Sequence, residues 1–191
     1  MLLPQFCPGC QQPRIGRCVV CAEHLEVLRS GDTGRAALVH SGHARRMVLG
    51  LKYRNARQVA AELALPLARS VRDPGLFDVV TWAPTSARRI ADRGFDPAEL
   101  IARAVADLLG LPCRRLLHRG RRSGPQAGKS RGARLVGPEF VGRPLWRNPR
   151  VLLVDDVTTT GATLRAGAQA LLSAGAAEVR YLAATEAPSS R

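Results

Sequence analysis

The stretch VLLVDDVTTTGATL, residues 151–164, joins four apolar residues to two adjacent acids and a hydroxyl-rich turn. The apolar run predicts a buried strand, and the residues after Gly161 have the spacing of a helix. Asp155 and Asp156 therefore stand at the carboxyl end of a strand, which is where ligands bind in open α/β sheets. A soluble fold can be built without this arrangement, so the stretch indicates a ligand site.

The hydroxyl-rich turn and the paired acids in this stretch predict two different parts of one ligand. The turn TTTGAT, residues 158–163, leads into a helix N-terminus, whose free backbone N–H groups and dipole favour a phosphate. The threonine hydroxyls can donate to phosphate oxygens, and Gly161 allows the backbone to approach closely. The two acids repel a phosphate and suit vicinal hydroxyls or a metal ion. A diol near a terminal phosphate is the chemistry of a ribose 5-phosphate.

Three alternatives account for the stretch less well. Helix capping by aspartate accounts for one acid, but not for two acids and a six-residue turn. A Walker-type phosphate loop needs a lysine before its serine or threonine, and this turn has none. A two-component receiver domain carries its paired acids on the first strand, whereas only 36 residues follow Asp155.

Strands and helices alternate along most of the chain, which predicts an α/β fold with a mostly parallel sheet flanked by helices. Strands are predicted at 35–40, 77–84, 113–118, 150–155 and 178–185. Helices are predicted at 44–53, 56–72, 96–110 and from 162 to about 175. We see no internal repeat in the sequence.

Several residues predict where these elements start, stop or bend. We expect Pro66 to bend or interrupt the second helix. Asp96 and Glu99 have the spacing of a capping box at the start of the third helix, and Gly110 stands at its C-terminal cap. The stretch 119–138 is rich in glycine and arginine and shows little periodicity. A loop of that length inside a compact domain is usually functional.

The chain is strongly basic, with 29 basic and 15 acidic residues and a formal net charge of +14. Residues 112–150 hold eleven basic residues and one acid, Glu139, so a charge of +10 lies in that segment. A basic surface attracts polyanions such as nucleic acid or a phosphorylated small molecule. Because Lys52 and Lys129 are the two lysines, an arginine-rich genomic composition is the alternative source of the excess.

The sequence contains no run of about 18 apolar residues, so it predicts no transmembrane helix and no membrane insertion. The start, MLLPQFCPGC, lacks the basic region and the long apolar run of a signal peptide. We therefore expect a cytoplasmic protein, in which cysteines are normally reduced.

The beginning of the chain is dense in cysteine and proline and shows no hydrophobic period. Two cysteine pairs form the pattern C-x2-C-x7-C-x2-C: Cys7, Cys10, Cys18 and Cys21. Four such thiolates can hold a structural Zn²⁺, which a module without a core needs. A redox dithiol lacks the flanking α/β pattern, and two disulfides do not suit a reducing compartment. We expect a zinc module at 1–30 and an α/β domain at 31–191, with a turn at 31–34 as the boundary.

These motifs resemble those of a known family. VLLVDDVTTTGAT, residues 151–163, resembles the phosphoribosyl pyrophosphate (PRPP) motif of type I phosphoribosyltransferases, in which a strand and paired acids precede Thr-Thr-Gly-x-Thr. Further segments resemble the ComF family, which is related to competence and gluconate-utilisation (GntX-like) proteins. They are LKYRN (51–55), APTSARRIADRGFDPAELIARAVA (83–106), HRGRRSGPQ (118–126) and the N-terminal cysteines. The resemblance covers nearly the whole chain and implies a type I phosphoribosyltransferase fold.

The resemblance implies a role for most polar residues at the predicted strand ends. Asp155 and Asp156 would hold the ribose hydroxyls. The 5-phosphate would be wrapped by Thr158, Thr159, Thr160, Gly161, Ala162 and Thr163. The pyrophosphate loop would consist of Thr85 and Ser86, with Arg88 and Arg89 nearby. One departure falls beside that loop, because this chain has RGFDP where the family tends to have Arg-Gly-Phe-Asn-Gln.

The implied reaction is transfer of a phosphoribosyl group from PRPP to an acceptor that the sequence does not identify. Charge builds on the leaving pyrophosphate, where Mg²⁺ and cationic side chains stabilise it. The loop 119–134 would be a flap that closes over the site and excludes water. On this expectation the catalytic residues are Asp155, Asp156, Arg119 and Arg122, with Arg134 also able to reach pyrophosphate.

A second function class stays open beside the enzyme. The family resemblance implies a role in the uptake of single-stranded DNA, with proteins of the competence machinery as partners. A zinc module beside a basic domain also suits a nucleic-acid-binding adaptor. Aromatic residues make up 4% of the chain, which is few for a base-stacking platform.

Overall fold

The computed structural model describes residues 5–7, 9–10, 12–14, 18, 21, 23–28, 35–120 and 138–187. Within these ranges the strands are β1 (Gln5–Phe6), β2 (Pro13–Arg14), β3 (Ala36–Val39), β4 (Val79–Trp82), β5 (Leu117–Arg119), β6 (Phe140–Gly142), β7 (Arg150–Thr158) and β8 (Glu178–Glu186). The helices are α1 (Gly42–Tyr53), α2 (Val59–Ser70), α3 (Ala87–Arg93), α4 (Pro97–Leu109) and α5 (Ala162–Ser173), with a turn of 3₁₀ helix at Pro74–Leu76.

Four strands form one parallel sheet in the order β3-β8-β7-β4. In its centre Val154 of β7 pairs with Trp82 of β4 on one side and with Leu182 of β8 on the other. Because all four strands run in the same direction, their carboxyl ends meet at one edge of the sheet. The mostly parallel α/β fold predicted from the sequence is therefore confirmed.

Helices cover both faces of the sheet because successive side chains of β7 point to opposite faces. Leu152 and Val154 belong to a core that β7 shares with α1, α2 and α4. Val151 and Leu153 belong to a second core, formed with α5 and with the antiparallel pair β5–β6. This double coverage leaves the edges of the sheet as the places where polar side chains can collect.

Helix α4 begins and ends as predicted. The Asp96 carboxylate accepts a hydrogen bond from the Ala98 N–H at 3.2 Å, and Gly110 closes the helix with a left-handed φ of 68°. Glu99 does not complete the predicted capping box. Its carboxylate accepts hydrogen bonds from the Arg103 guanidinium one turn further along the exposed side of the helix.

Several other elements differ from the prediction: α3 and β6 are not predicted, and the strand expected at 113–118 is the shorter β5, which pairs with β6 outside the four-stranded sheet. Of the two effects expected of Pro66, the interruption does not occur, because α2 runs on to Ser70 and packs its buried Leu63 and Leu67 against the core shared with α4. β7 continues three residues beyond the predicted end of its strand, because pairing with β8 extends to the register Thr158 with Glu186. The turn before α5 is therefore shorter than the sequence suggests.

The N-terminal residues pack against α1. Strands β1 and β2 form a short antiparallel pair, and Cys7 and Cys21 share the first core with Met47 of α1. The boundary expected at 31–34 lies outside the described residues, as does the end of the C-terminal tail, 188–191, so the division at residue 30 stays a prediction. None of the helices in the described part of the chain has the length and hydropathy that a bilayer span requires.

Replacing each of two adjacent leucines on α5 tests the packing of the second core. Leu171 is fully buried, whereas Leu172 is 43% exposed. Leu171→Ala should lower the free energy of unfolding by about 2–4 kcal/mol, since it leaves a cavity between the helix and β7. Leu172→Ala, the control with the same change on the same helix, should cost less than about 1 kcal/mol. Urea denaturation measures both, and equal losses would contradict this packing.

Candidate functional site

A cavity of about 360 Å³ opens at the carboxyl edge of the sheet. Its walls come from the last turn of α1, the ends of β4 and β5, the helices α3 and α4, the residue Pro138 before β6, the last part of β7 and the start of α5. They consist of Lys52, Tyr53, Ala83, Pro84, Thr85, Arg89, Arg93, Asp96, Ala98, Arg119, Pro138, Asp155, Asp156, Val157 and Thr163. The lining thus combines four basic side chains with three acidic ones, and it suits a ligand that carries both hydroxyl groups and negative charge.

The two adjacent acids of β7 occupy different surroundings within this cavity. Asp155 is 8% exposed, and its Oδ1 accepts a hydrogen bond from the Asp156 N–H at 2.8 Å. Burial raises the pKa of Asp155 well above its usual range, and the negative charge of Asp156 raises it further. Asp156 forms an ion pair with Lys52, whose Nζ lies 2.7 Å from Oδ1. Both carboxyl groups line the cavity, as a diol site requires.

The backbone of Asp156 is held by a second, buried contact. The Thr185 hydroxyl donates to the Asp156 carbonyl at 3.3 Å, and His40 Nδ1 lies 2.8 Å from the same hydroxyl oxygen. Since that hydroxyl uses its proton on the carbonyl, His40 donates through a protonated Nδ1. Burial, and then the charge of Lys52, lower the pKa of His40, which favours the neutral imidazole. Asp156 is therefore fixed through both its side chain and its main chain.

The turn between β7 and α5 presents hydroxyls and cationic side chains. Thr159 and Thr160 are exposed, and Gly161 adopts a left-handed φ of 76° as the first residue before the helix. The Arg165 and Arg35 guanidiniums donate to the Thr160 carbonyl at 2.7 and 3.3 Å. A Cβ on residue 161 would lie 2.8 Å from the end of the flexible Arg165 side chain, so the left-handed φ, and not a lack of space, is what favours glycine in this turn. Arg165 adds positive charge beside the predicted phosphate site, whereas Arg35 is paired with Glu186 at 2.8 Å.

The loop after β4 is tied to the start of α4 by one carboxylate. Asp96 is buried, and its Oδ2 accepts a hydrogen bond from the Thr85 N–H at 2.9 Å while Oδ1 accepts from Ala98. Burial raises the pKa of Asp96, although both backbone hydrogen bonds act in the opposite direction. Ser86 caps α3, because its hydroxyl accepts from the Arg89 N–H at 3.4 Å. The conformation of this loop therefore depends on Asp96.

The structure brings some of the sequence-predicted site residues to the cavity and leaves others around it. Those that line it are Thr85, Arg89, Arg119, Asp155, Asp156 and Thr163. Among the described residues, those that do not line it are Ser86, Arg88, Thr158, Thr159, Thr160, Gly161 and Ala162. Arg122 and Arg134 lie outside the described residues, as does nearly all of the predicted flap 119–134. The functional roles of all these residues stay predictions.

Among the lining residues without a binding role assigned from the sequence, four have polar or charged side chains: Lys52, Tyr53, Arg93 and Asp96. A signal existed for all four, because Lys52 and Tyr53 lie in the segment LKYRN, and Arg93 and Asp96 lie in RGFDP. Tyr53 is 70% exposed at the cavity, and the Arg93 guanidinium lies 5.1 Å from the centre of its ring. This stacking holds a cation at the cavity wall.

The four N-terminal cysteines form a second candidate site. Their sulfur atoms all lie within 4.8 Å of one another, with Cys7 and Cys21 3.4 Å apart and Cys10 and Cys18 3.6 Å apart. A tetrahedral metal with bonds of about 2.3 Å to sulfur places its ligands about 3.8 Å apart. The four thiols can therefore hold one metal ion.

This cysteine cluster packs directly on α1, the helix that carries Lys52. Gly9 lies between them, because a Cβ there would come within 2.7 Å of the Cys21 sulfur and 3.4 Å of the Met47 side chain. The Arg46 Nε donates to the Gly9 carbonyl. The same helix therefore contacts the cysteines along one side and enters the cavity with its last turn.

Comparisons with known proteins agree with the fold. The family described as phosphoribosyl transferase domain matches residues 90–191, just over half of the chain. No curated protein matches the sequence.

The chain is also similar to several solved structures, of which three are described here. The allosteric regulatory enzyme of purine biosynthesis is 26% identical with a TM-score of 0.44, covering 65% of this chain and 25% of that one. Glutamine PRPP amidotransferase from B. subtilis is 27% identical with a TM-score of 0.43, covering 64% and 25%. Adenine phosphoribosyl transferase from Trypanosoma brucei is 16% identical with a TM-score of 0.46, covering 83% and 73%. The chain spans a quarter of the length of the first two.

Replacing Asp96 tests how the loop after β4 is held. Asp96→Ala should lower the free energy of unfolding by about 2–3 kcal/mol, because it leaves the N–H groups of Thr85 and Ala98 without their acceptor. Asp73→Ala is the matched control, since Asp73 caps the 3₁₀ helix by accepting from the exposed Gly75 N–H. It should cost no more than about 1 kcal/mol in the same urea titration. A similar loss in both variants would rule out this role for Asp96.

Proposed function

Because this chain belongs to the phosphoribosyl transferase domain family, we propose that its cavity binds PRPP together with Mg²⁺. One observation carries the proposal. The paired acids Asp155 and Asp156 share a cavity with Thr85, Arg89 and Arg119, although these five residues come from three separate segments of the chain. Acids that suit a diol thus face cations that suit a pyrophosphate.

Each part of PRPP is assigned to the residues whose chemistry suits it. The ribose hydroxyls donate to the carboxylates of Asp155 and Asp156. The 5-phosphate lies against the turn at 159–163, where free N–H groups at the start of α5 and the nearby Arg165 favour an anion. The pyrophosphate lies between the loop at 85–86 and the lining arginines, of which Arg89 and Arg119 are two.

We propose phosphoribosyl transfer as the reaction, with an acceptor that the site does not identify. The bond from C1 of the ribose to pyrophosphate breaks, and the lining arginines stabilise the charge that develops on the leaving group. The carboxylates fix the ribose, so that C1 is presented in one orientation. The carboxylate oxygens of Asp155 and Asp156, which both line the cavity, would hold Mg²⁺. When bound, the ion neutralises part of the pyrophosphate charge.

A narrower assignment to the ComF family is also proposed. The segment LKYRN supports it, since Lys52 and Tyr53 from this segment line the cavity. The cluster of four cysteines supports it as well. The context of competence and DNA uptake follows from this resemblance alone.

A nucleic-acid-binding adaptor is the second candidate, and one observation favours it. Trp146 is 86% exposed in the basic segment, next to Arg147, which adopts a positive φ of 73° in a turn. An exposed indole among arginines can stack on the bases of single-stranded nucleic acid. This turn precedes β7 and so lies at the amino edge of the sheet, opposite the cavity. Binding there would leave the PRPP site free.

Calorimetry with PRPP and Mg²⁺ tests the proposed ligand. Replacing both Asp155 and Asp156 with Asn should weaken PRPP binding at least about 100-fold, because both carboxyl groups that accept from the diol become amides with a single acceptor oxygen each. Asp78→Asn is the control, since Asp78 pairs with Arg150 on the surface at the other end of the strands. Salt-sensitive binding of single-stranded DNA should survive the double replacement. Unchanged PRPP binding would refute the proposal, and parallel loss of DNA binding would show that the two activities share one site.

We propose that the metal of the cysteine cluster is structural Zn²⁺, which prefers tetrahedral thiolate sites. Protein purified without chelator should contain about one zinc ion per chain by elemental analysis. Cys21→Ser should lose most of it, whereas Cys113→Ser, which changes the one cysteine outside the cluster, should retain it. A wild-type protein without zinc, or equal loss in both variants, would count against this assignment.

A further inference from the structure

Lys52 and Asp156 both line the cavity and form an ion pair with each other. Contacts with a ligand alone do not require this pair. Lys52 Nζ lies 2.7 Å from Asp156 Oδ1, and the two side chains are only 20% and 14% exposed. Salt screens a partly buried pair much less than a surface pair. The contact is therefore a lasting feature of the cavity, and it involves one of the two acids proposed to hold the ribose.

Both partners are held in place by the fold. Lys52 lies in the last turn of α1, and the neighbouring Leu51 and Val48 are fully buried in the first core. The main chain of Asp156 is fixed by β7 and by the Thr185 hydroxyl. Because neither backbone can shift easily, the pair sets the direction of the Asp156 side chain before any ligand arrives.

The charges around Asp156 show why a cation is needed there. Asp155 and Asp96 also line the cavity, so three carboxyl groups lie on its acidic side. Like charges at close range disfavour each other in a half-buried site. Lys52 offsets this repulsion at Asp156, the more exposed member of the adjacent pair. A carboxylate has acceptor sites on both oxygens, so Oδ2 remains able to accept a hydroxyl group while Oδ1 binds Lys52.

We propose that Lys52 is a positioning residue of the ribose subsite, which holds the Asp156 carboxylate oriented toward the ribose diol and does not bind the pyrophosphate. This inference rests on the proposed function, because it assigns a role within the same cavity. The competing possibility is that Lys52 leaves Asp156 and binds pyrophosphate when the ligand is present. The two alternatives differ in which part of PRPP loses affinity when Lys52 is replaced.

Calorimetric titrations with three probes separate these alternatives: ribose 5-phosphate, pyrophosphate and PRPP, each with Mg²⁺. Lys52→Met, which keeps an unbranched side chain one atom shorter and removes its charge, should weaken the binding of ribose 5-phosphate and of PRPP by the same factor of about ten. It should change pyrophosphate binding by less than about threefold. Lys52→Arg should restore ribose 5-phosphate binding to within about threefold, because the positive charge is kept.

Arg89→Met is the contrasting variant, because Arg89 lines the cavity and no hydrogen bond or ion pair joins it to Asp156 in the described part of the chain. It removes one positive charge from the cavity, as Lys52→Met does. It should weaken the binding of pyrophosphate and of PRPP and leave the binding of ribose 5-phosphate unchanged. Retained pyrophosphate binding by Lys52→Met also shows that the cavity of that variant is folded.

Each of these titrations has a result that would contradict the proposed role of Lys52. If Lys52→Met loses pyrophosphate affinity in the pattern of Arg89→Met, Lys52 binds the leaving group and the inference is wrong. Unchanged affinity for all three probes, or an arginine variant as weak as the methionine variant, would overturn it as well. The wild-type titrations test the proposed function separately. A wild type that binds none of the probes would refute that function and, with it, the role of Lys52.

Discussion

β7 pairs in parallel with β4 on one side and with β8 on the other, and this pairing determines where the candidate site lies. Val151, Leu152, Leu153 and Val154 are buried alternately in the two cores, so this strand cannot carry a polar side chain until it reaches the edge of the sheet. The register that sets Val154 beside Trp82 brings the end of β4 to the same edge. The paired acids and the loop at 85–86 consequently face one cavity, although about seventy residues separate them along the chain.

Helix α1 connects the two candidate sites of the molecule. Its Met47 packs beside the cysteine cluster, and its last turn brings Lys52 and Tyr53 to the cavity. The cysteines therefore belong to the same apolar core that supports the acidic side of the cavity. A helix fixed along one side by such a cluster presents its terminal side chains with little freedom, which is what a preorganised binding site requires.

The parts of the site that the sequence predicts are those encoded by neighbouring residues. The acids and threonines of 155–163, the cap at Asp96 and the two cysteine pairs are local patterns with direct chemical meaning. Contacts between distant residues leave no such pattern: Lys52 meets Asp156 across 104 positions, and Arg35 meets the Thr160 carbonyl across 125. The extension of β7 to Thr158 was likewise not predictable, because it depends on pairing with β8. Tertiary pairing here overrides the local turn signal of the threonines.

A crystal structure of the protein with ribose 5-phosphate, pyrophosphate and Mg²⁺ tests the central claim most directly. The account predicts the ribose hydroxyls within hydrogen-bonding distance of the Asp155 and Asp156 carboxylates, with the 5-phosphate against the N–H groups at the start of α5. Pyrophosphate should lie next to Thr85 and Arg89. A sugar phosphate bound in the reverse orientation, or outside this cavity, would contradict the account.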